Sequence, residues 1–436
     1  MHVLSEPPTS FDQRRWRIAW RVCMLAVVAA AMVLRAPLLF VEPRFWAEEG
    51  VIYLADAVTQ PWHHALIAPH VGYYSLFSNV VFVLATRLFA LEDVPLFTTL
   101  AALCVQLLPF MILLWSQSSL WQRSYTKMVG TLIILCTPLN GEVWLNTVNS
   151  QFWLQITTFL ILCEDMLDAS VPRRWLYRGI LVVAGLTGVV SCFLVPLFAL
   201  RAWLHRTREH WVQFSILCVC AIVQGIIVVA SAEGHGGVDS RVQLPNVPLL
   251  GVLLWLKTFM LPLAGVGVSE QVATGLHNLL NEQQHVFSLV GALLLLALGV
   301  VLALLTRGRE WKSKVLMVGS YLLVALLSFA FSLGDKIQYL TPALGARYYY
   351  GPSIMLLLLI LANTYRSPRH SEALRALMCS VLLVMALTTG TLAYRSTVVA
   401  NESWPRWRAE VAKWRSNPAY ELQIWPQGWT IKLPDS

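Results

Sequence analysis

Long apolar runs separated by short charged clusters recur along the whole chain. Runs of the length a helix needs to cross hydrocarbon, about 20 residues, cover 18–41, 94–116, 212–231, 286–306, 315–333 and 376–395. Shorter runs at 127–140, 151–167 and 351–365 can cross if their polar ends lie in the interface. The run 176–203 is too long for one span and just sufficient for two; GLTGVVS, residues 185–191, supplies the break, as a hairpin whose tip is buried in protein or lines a cavity.

The placement of Lys and Arg fixes an orientation, because cytoplasmic loops collect positive charge. With the N-terminus inside, Arg14, Arg15, Arg17 and Arg21 are cytoplasmic, as are Arg123 and Lys127, Arg173, Arg174 and Arg178, and Arg201, Arg206 and Arg208. Arg307, Arg309, Lys312, Lys314, Arg366, Arg369 and Arg375 fall on the same side. One span at 176–203 would put its two flanking basic clusters on opposite faces, so the hairpin is preferred. The expectation is an all-α, polytopic transmembrane helical bundle of about 11 spans in a single domain over 1–436, N-terminus in and C-terminus out. Its first extracytoplasmic loop, 41–93, would carry membrane-parallel helices, and its tail, 396–436, would be extracytoplasmic. The apolar segments 73–91 and 249–263, with both ends outside, read as interfacial helices or segments dipping partway in.

Composition agrees: of 436 residues, 57% are hydrophobic and 13% charged, with 18 Trp and a mean hydropathy of +0.61, the profile of a polytopic membrane protein. The run from Ile18 to Val41 is too long for a signal-peptide core and reads as a retained first helix. All eight cysteines lie within apolar segments, with no paired spacing, and point to neither a disulfide framework nor a metal site. The net charge of +8 comes with no basic stretch interleaved with aromatics, so nucleic acid is not expected as a partner.

The candidate chemistry gathers in the outer loops. PRFWAEEGVIYLADA, residues 43–57, puts Glu48 and Glu49 where the first span ends; Glu42, Asp56, His63, His64, His70, Tyr73 and Tyr74 share the loop. The glutamates fit either a solvated helix start or a general base or metal ligand at the membrane edge. In LNGEVWLNTVNSQFW, residues 139–153, Glu142, Asn146, Asn149 and Gln151 can hold sugar hydroxyls while Trp144 and Trp153 stack on a pyranose face, or the stretch is an interfacial aromatic belt. Lys336 and Arg347, in 334–352, stand on the outer side against the charge bias; Arg347 can grip a phosphate through its planar fork or snorkel beside the tyrosines. Arg35 can pair with a first-loop acid or contact a ligand. Trp404, Trp407, Val411 and Trp414 share a helical face in the tail, as an interfacial amphipathic helix would have them, and the expected role is packing as a capping segment over the outer face.

The acidic pair just beyond the first span, followed by Tyr53, resembles the first outer loop of GT-C-type membrane glycosyltransferases, a superfamily that includes protein O-mannosyltransferases and lipid A aminoarabinose transferases. Their loop commonly reads Asp-Glu followed by Tyr or Phe; here the first acid is Glu48, which leaves open which glutamate is the base. The second polar motif around Glu142 and the glycine-containing hairpin at 185–191 match the same layout. The resemblance implies an inverting hexosyl- or pentosyltransferase with a polyprenyl-phosphate or polyprenyl-diphosphate sugar donor and a cell-envelope acceptor such as lipopolysaccharide. It would sit in the bacterial inner membrane with its site facing outward; no cofactor is certain, and a divalent metal is compatible. Glu48 and Glu49 would then be catalytic, and Glu142, Asn146, Asn149, Gln151, His70, Tyr73, Arg347 and Lys336 would bind donor or acceptor. Two other readings stay open. A transporter should carry midplane charges and repeats, and the sequence has neither. An O-antigen polymerase or ligase should carry a late outer loop rich in Arg and His, whereas 232–285 has only Arg241 and Lys257 as cations.

Overall fold

The apolar runs form helices in the computed structural model, which describes residues 11–138, 141–167, 169–234, 245–308, 310–332, 335–364, 370–394 and 404–434. Arg241, Arg309, Arg366 and Arg369 lie outside the described residues. Among the described residues, seven helices are long and apolar enough to cross a membrane: Arg15–Arg35, Val94–Trp115, Arg208–Ser231, Val247–Glu282, Gln284–Leu305, Trp311–Ala330 and Glu372–Leu392. Five shorter apolar helices join them: Leu76–Leu88, Ser124–Cys136, Ser150–Leu162, Cys192–His205 and Ala346–Leu361.

The short helices make the centre. Every residue of Ser150–Leu162 is buried, as is almost all of Ala346–Leu361. A helix apolar on every side has no solvent face to keep, so it is surrounded by other helices. The longer helices Arg15–Arg35, Arg208–Ser231 and Gln284–Leu305 are mostly exposed along their length, and the outward Val219, Ile222, Ile226, Leu289, Leu293 and Leu296 suit lipid as solvent. Proline opens several helices at the first turn (Pro95, Pro172, Pro196, Pro248), where its missing N–H removes a donor that had no partner anyway.

The run 176–203 is indeed interrupted. A helix Val171–Gly185 ends, the chain turns, and a helix resumes at Val195–His205. The turn docks onto the first loop: Leu76 donates to the Leu186 carbonyl (2.8 Å), Gly188 to that of Tyr74 (2.9 Å), and Phe77 to the Thr187 hydroxyl (3.2 Å). Gln224 closes the joint, its amide donating to the Tyr74 carbonyl (2.8 Å). Gly188 has φ +75°, and a Cβ there would run into the side-chain oxygen of Gln151, so the position has no room for one. Gly188→Ala is therefore expected to cost about 1–3 kcal/mol through backbone strain and overpacking, read as a lower unfolding temperature of the purified protein in detergent.

The segment 249–263, expected as an interfacial helix or one dipping partway in, forms the first part of a helical stretch running from Val247 to Glu282 that is long and apolar enough to cross a membrane. It bends at Gly265 (φ 84°, ψ 177°), a conformation open to glycine. Its Lys257 is fully buried, and the ammonium finds the carbonyls of Pro342 (2.8 Å) and Leu344 (3.0 Å), which pins the loop before Ala346. Burial of a lysine is tolerable only with such partners.

The tail takes the packing role expected of it, because its apolar face covers protein. The helix Trp407–Ser416 buries Trp407, Val411 and Trp414, while Trp404 is partly exposed. The antiparallel strands Leu422–Ile424 and Trp429–Ile431 follow. Together they form one apolar cluster with Phe45, Tyr53, Leu54 and Phe82 of the first loop. Trp407 donates from its indole to the Leu91 carbonyl (2.8 Å), and Phe45 meets the Trp407 ring edge-on at 4.8 Å. A helix amphipathic by sequence pairs with whichever apolar surface is nearest, and the first loop supplies one.

Candidate active site

Where the first loop meets the 141–149 loop, the two glutamates separate by one residue of helical rotation. Glu49 begins a π-helical turn, Glu49–Leu54, and is 3% exposed. Its carboxylate accepts from the Thr147 amide (2.7 Å), the Thr147 hydroxyl (2.7 Å) and the Trp46 amide (2.9 Å). Burial pushes its carboxyl upward, and the Thr147 and Trp46 hydrogen bonds oppose that. Its acceptor capacity is committed to joining the first loop to the 141–149 loop.

Glu48, half-buried at the N-cap of the same turn, faces elsewhere. Its Oε2 is buried without a hydrogen-bond partner. It lies within electrostatic reach of Tyr53, Tyr73 and Arg347. Arg347, in the first turn of Ala346–Leu361, pairs with Glu142 at 3.0 Å, and its guanidinium stands 5.2 Å from the centre of the Tyr348 ring. Gln151 donates to the Tyr73 hydroxyl (3.1 Å). Burial holds the Tyr73 phenol above its ordinary range, so it stays protonated at neutral pH. The arrangement joins an uncommitted carboxylate, a guanidinium steadied by a second carboxylate, and a neutral phenol: one proton acceptor, one anion holder and one hydrogen-bonding group.

Four other sequence candidates make contacts within the protein. Asn146 and Asn149 both donate to the Glu142 carbonyl (2.9 Å each), and the Asn149 amide donates to the Asn146 side-chain oxygen (2.8 Å). Both are buried, so their amides build the loop that carries Glu142. Lys336 is buried and donates to the carbonyl and hydroxyl of Ser332, a local tie at the start of a 3₁₀ turn. His70 stands 3.5 Å from Asp56 and edge-on to Tyr53 at 4.8 Å; burial lowers its pKa and Asp56 offsets that only in part. It packs behind Tyr53.

Sequence reasoning missed Thr147, which fixes the role of Glu49, and Tyr348, which flanks Arg347. Neither has a local signal, since each acts across more than 90 residues or through one ring face. Among the described residues no three His, Cys, Asp or Glu side chains converge as a metal site. Glu48 and Glu142 flank a guanidinium that already supplies positive charge, so these residues do not fit a metal ion.

Neither a protein-family model nor a curated protein sequence matches the chain. Two solved structures are similar. One is the crystal structure of ArnT from Cupriavidus metallidurans bound to undecaprenyl phosphate, at TM-score 0.46 and 14% identity, over 92% of this chain and 80% of that one. The other is the cryo-EM structure of the arabinofuranosyltransferase AftD from Mycobacteria, at TM-score 0.44 and 14% identity; it matches 100% of this chain and 31% of AftD. Scores this low carry no chemistry across, which rests on the residues.

Proposed function

We propose that this protein is a membrane glycosyltransferase that moves a sugar from a polyprenyl-phosphate donor to a hydroxyl of a cell-envelope glycan, lipid or protein. The observation that carries the reading is the buried, unpartnered Glu48 carboxylate oxygen beside the Arg347–Glu142 pair. An ionisable group is expensive beside hydrocarbon and is retained for work.

The acceptor hydroxyl oxygen attacks the anomeric carbon, and the bond from that carbon to the donor phosphate oxygen breaks. The hydroxyl proton passes to Glu48, and the phosphate leaves on its lipid. A phosphate needs no strong acid to depart, so a base and a cation suffice. Arg347, steadied by Glu142, would receive the phosphate; Tyr73, held by Gln151, would orient the sugar or the acceptor. A single displacement of this kind inverts the anomeric centre.

The hairpin supports an outward-facing site. Arg173, Arg174 and Arg178 lie in the first half of Val171–Gly185 and Arg201 near the end of Val195–His205, while the turn between those helices docks beside Tyr74 and Gln151. The site is thus at the helix ends remote from the basic clusters, which favour the cytoplasm.

Arg347→Ala is expected to weaken donor binding at least about tenfold, and Arg347→Lys to restore part of it, because the fork but not the charge is lost. Unchanged donor affinity in both variants, measured in detergent or nanodiscs, would remove Arg347 from phosphate binding.

A further inference from the structure

At the end of Ala346–Leu361 opposite Arg347, about 21 Å along the helix axis, the starts of three other helices surround a cavity of about 200 Å³. Ser124–Cys136 brings Tyr125 and Thr126 to its wall, Trp311–Ala330 brings Lys314, and His370–Leu392 brings Glu372 and Arg375. Arg123 and Glu310, each at the N-cap of one of these helices, complete the charged lining. Lys314 is buried and donates to the Asn363 side-chain oxygen (2.9 Å) and the Arg307 carbonyl (3.3 Å), which uses two of its three N–H groups. Arg375 donates from Nη1 to the Leu304 carbonyl (3.3 Å), and its Nε is buried without a hydrogen-bond partner.

Three cations against two carboxylates leave one positive charge on the lining, and the three helix N-termini add their positive ends. That balance fits an anion of single charge. The volume is several times the roughly 30 Å³ share of one water molecule and below the roughly 300 Å³ at which pockets for whole organic ligands begin, so it suits a compact charged group. The position indicates what carries that group. Trp311–Ala330 and Glu372–Leu392 are both long and apolar enough to cross a membrane, and Lys314, Glu372 and Arg375 lie within their first four residues, the level at which lipid headgroups sit. On the helices that carry the lining, Tyr125, Met128, Leu374, Leu377 and Met378 are exposed, an apolar rim for hydrocarbon chains. Basic pockets between spans, on the side where Lys and Arg collect, receive anionic headgroups.

We infer that this cavity holds the singly charged phosphodiester of an anionic phospholipid, received by Lys314 and Arg375, with the acyl chains outside along Ser124–Cys136 and His370–Leu392. The site does not depend on the transferase reading, because it lies at the other end of Ala346–Leu361 from Arg347 and needs no reaction. A lipid seated there ties the ends of four helices together.

The test is binding by native mass spectrometry and thermal stabilisation of the whole protein in detergent, with phosphatidylglycerol, diacylglycerol and inorganic phosphate as probes. Phosphatidylglycerol should bind and raise the unfolding temperature, while diacylglycerol, which lacks the phosphate, and inorganic phosphate, which lacks the chains, should do neither. Lys314→Gln and Arg375→Gln should each lose about tenfold or more in phosphatidylglycerol affinity, the scale of a charge-assisted hydrogen bond. Ala362→Phe keeps every charge and fills the cavity that Ala362 lines; it should lose the lipid as well, and it serves if the Lys314 variant folds poorly. Diacylglycerol or inorganic phosphate stabilising as much as phosphatidylglycerol, or phosphatidylglycerol binding that neither Arg375→Gln nor Ala362→Phe weakens, overturns the inference.

Discussion

Glu48→Gln is expected to reduce sugar transfer by about 10²–10⁴-fold, the usual cost of losing a general base, while unfolding temperature and donor binding stay close to those of the unsubstituted protein. The amide keeps the volume of the carboxylate and removes its basicity. Glu48 makes none of the hydrogen bonds that join the first loop to its neighbours, and its Oε2 is already without a partner, so nothing structural is broken. The assay is sugar transfer in membranes holding matched amounts of each variant. Near-normal rates in Glu48→Gln would remove the base from this position.

Glu49→Ala should fail in a different way. It strands the Thr147 amide and hydroxyl and the Trp46 amide, all in a buried joint. Leaving a buried donor without a partner costs about 1–3 kcal/mol, and three are left here. The expected result is a markedly lower unfolding temperature and poor recovery of purified protein, with activity falling in step. Glu49→Gln should be milder, since its oxygen can still accept from Thr147 while its NH₂ faces one of the donors. A Glu49→Gln protein as stable as the unsubstituted one, yet inactive beside an active Glu48→Gln, would exchange the two roles.

In sequence these glutamates are equivalent: adjacent, identical and equally placed after a span. What separates them is the rotation of a π-helical turn and a threonine 98 positions away, and no local pattern carries either. The helical architecture was legible because about 20 apolar residues in a row have few alternatives, and the hairpin break was legible because Gly185 and Gly188 punctuate a run too long for one helix. Arg347 and Glu142 were each visible as charges near helix ends, but their pairing was not. That the amides of Asn146 and Asn149 fold their own loop was not legible, because an amide that folds its own loop and one that binds a sugar look alike in sequence. The packing face of the tail was legible from its spaced aromatics, but its partner in the first loop was not, because hydrophobic periodicity identifies an apolar face without naming what covers it.

The central claim is that Glu48 takes the proton that lets sugar leave the carrier phosphate. The most direct measurement is mass spectrometry of the lipid that co-purifies with Glu48→Gln and with the unsubstituted protein from cells that make the donor. A protein lacking its base binds donor but does not turn it over, so Glu48→Gln should retain a sugar-bearing polyprenyl phosphate, whose mass would also identify the sugar. The unsubstituted protein should carry the bare polyprenyl phosphate. If the two proteins retain the same lipid in the same state, or neither retains any polyprenyl lipid, the account is contradicted.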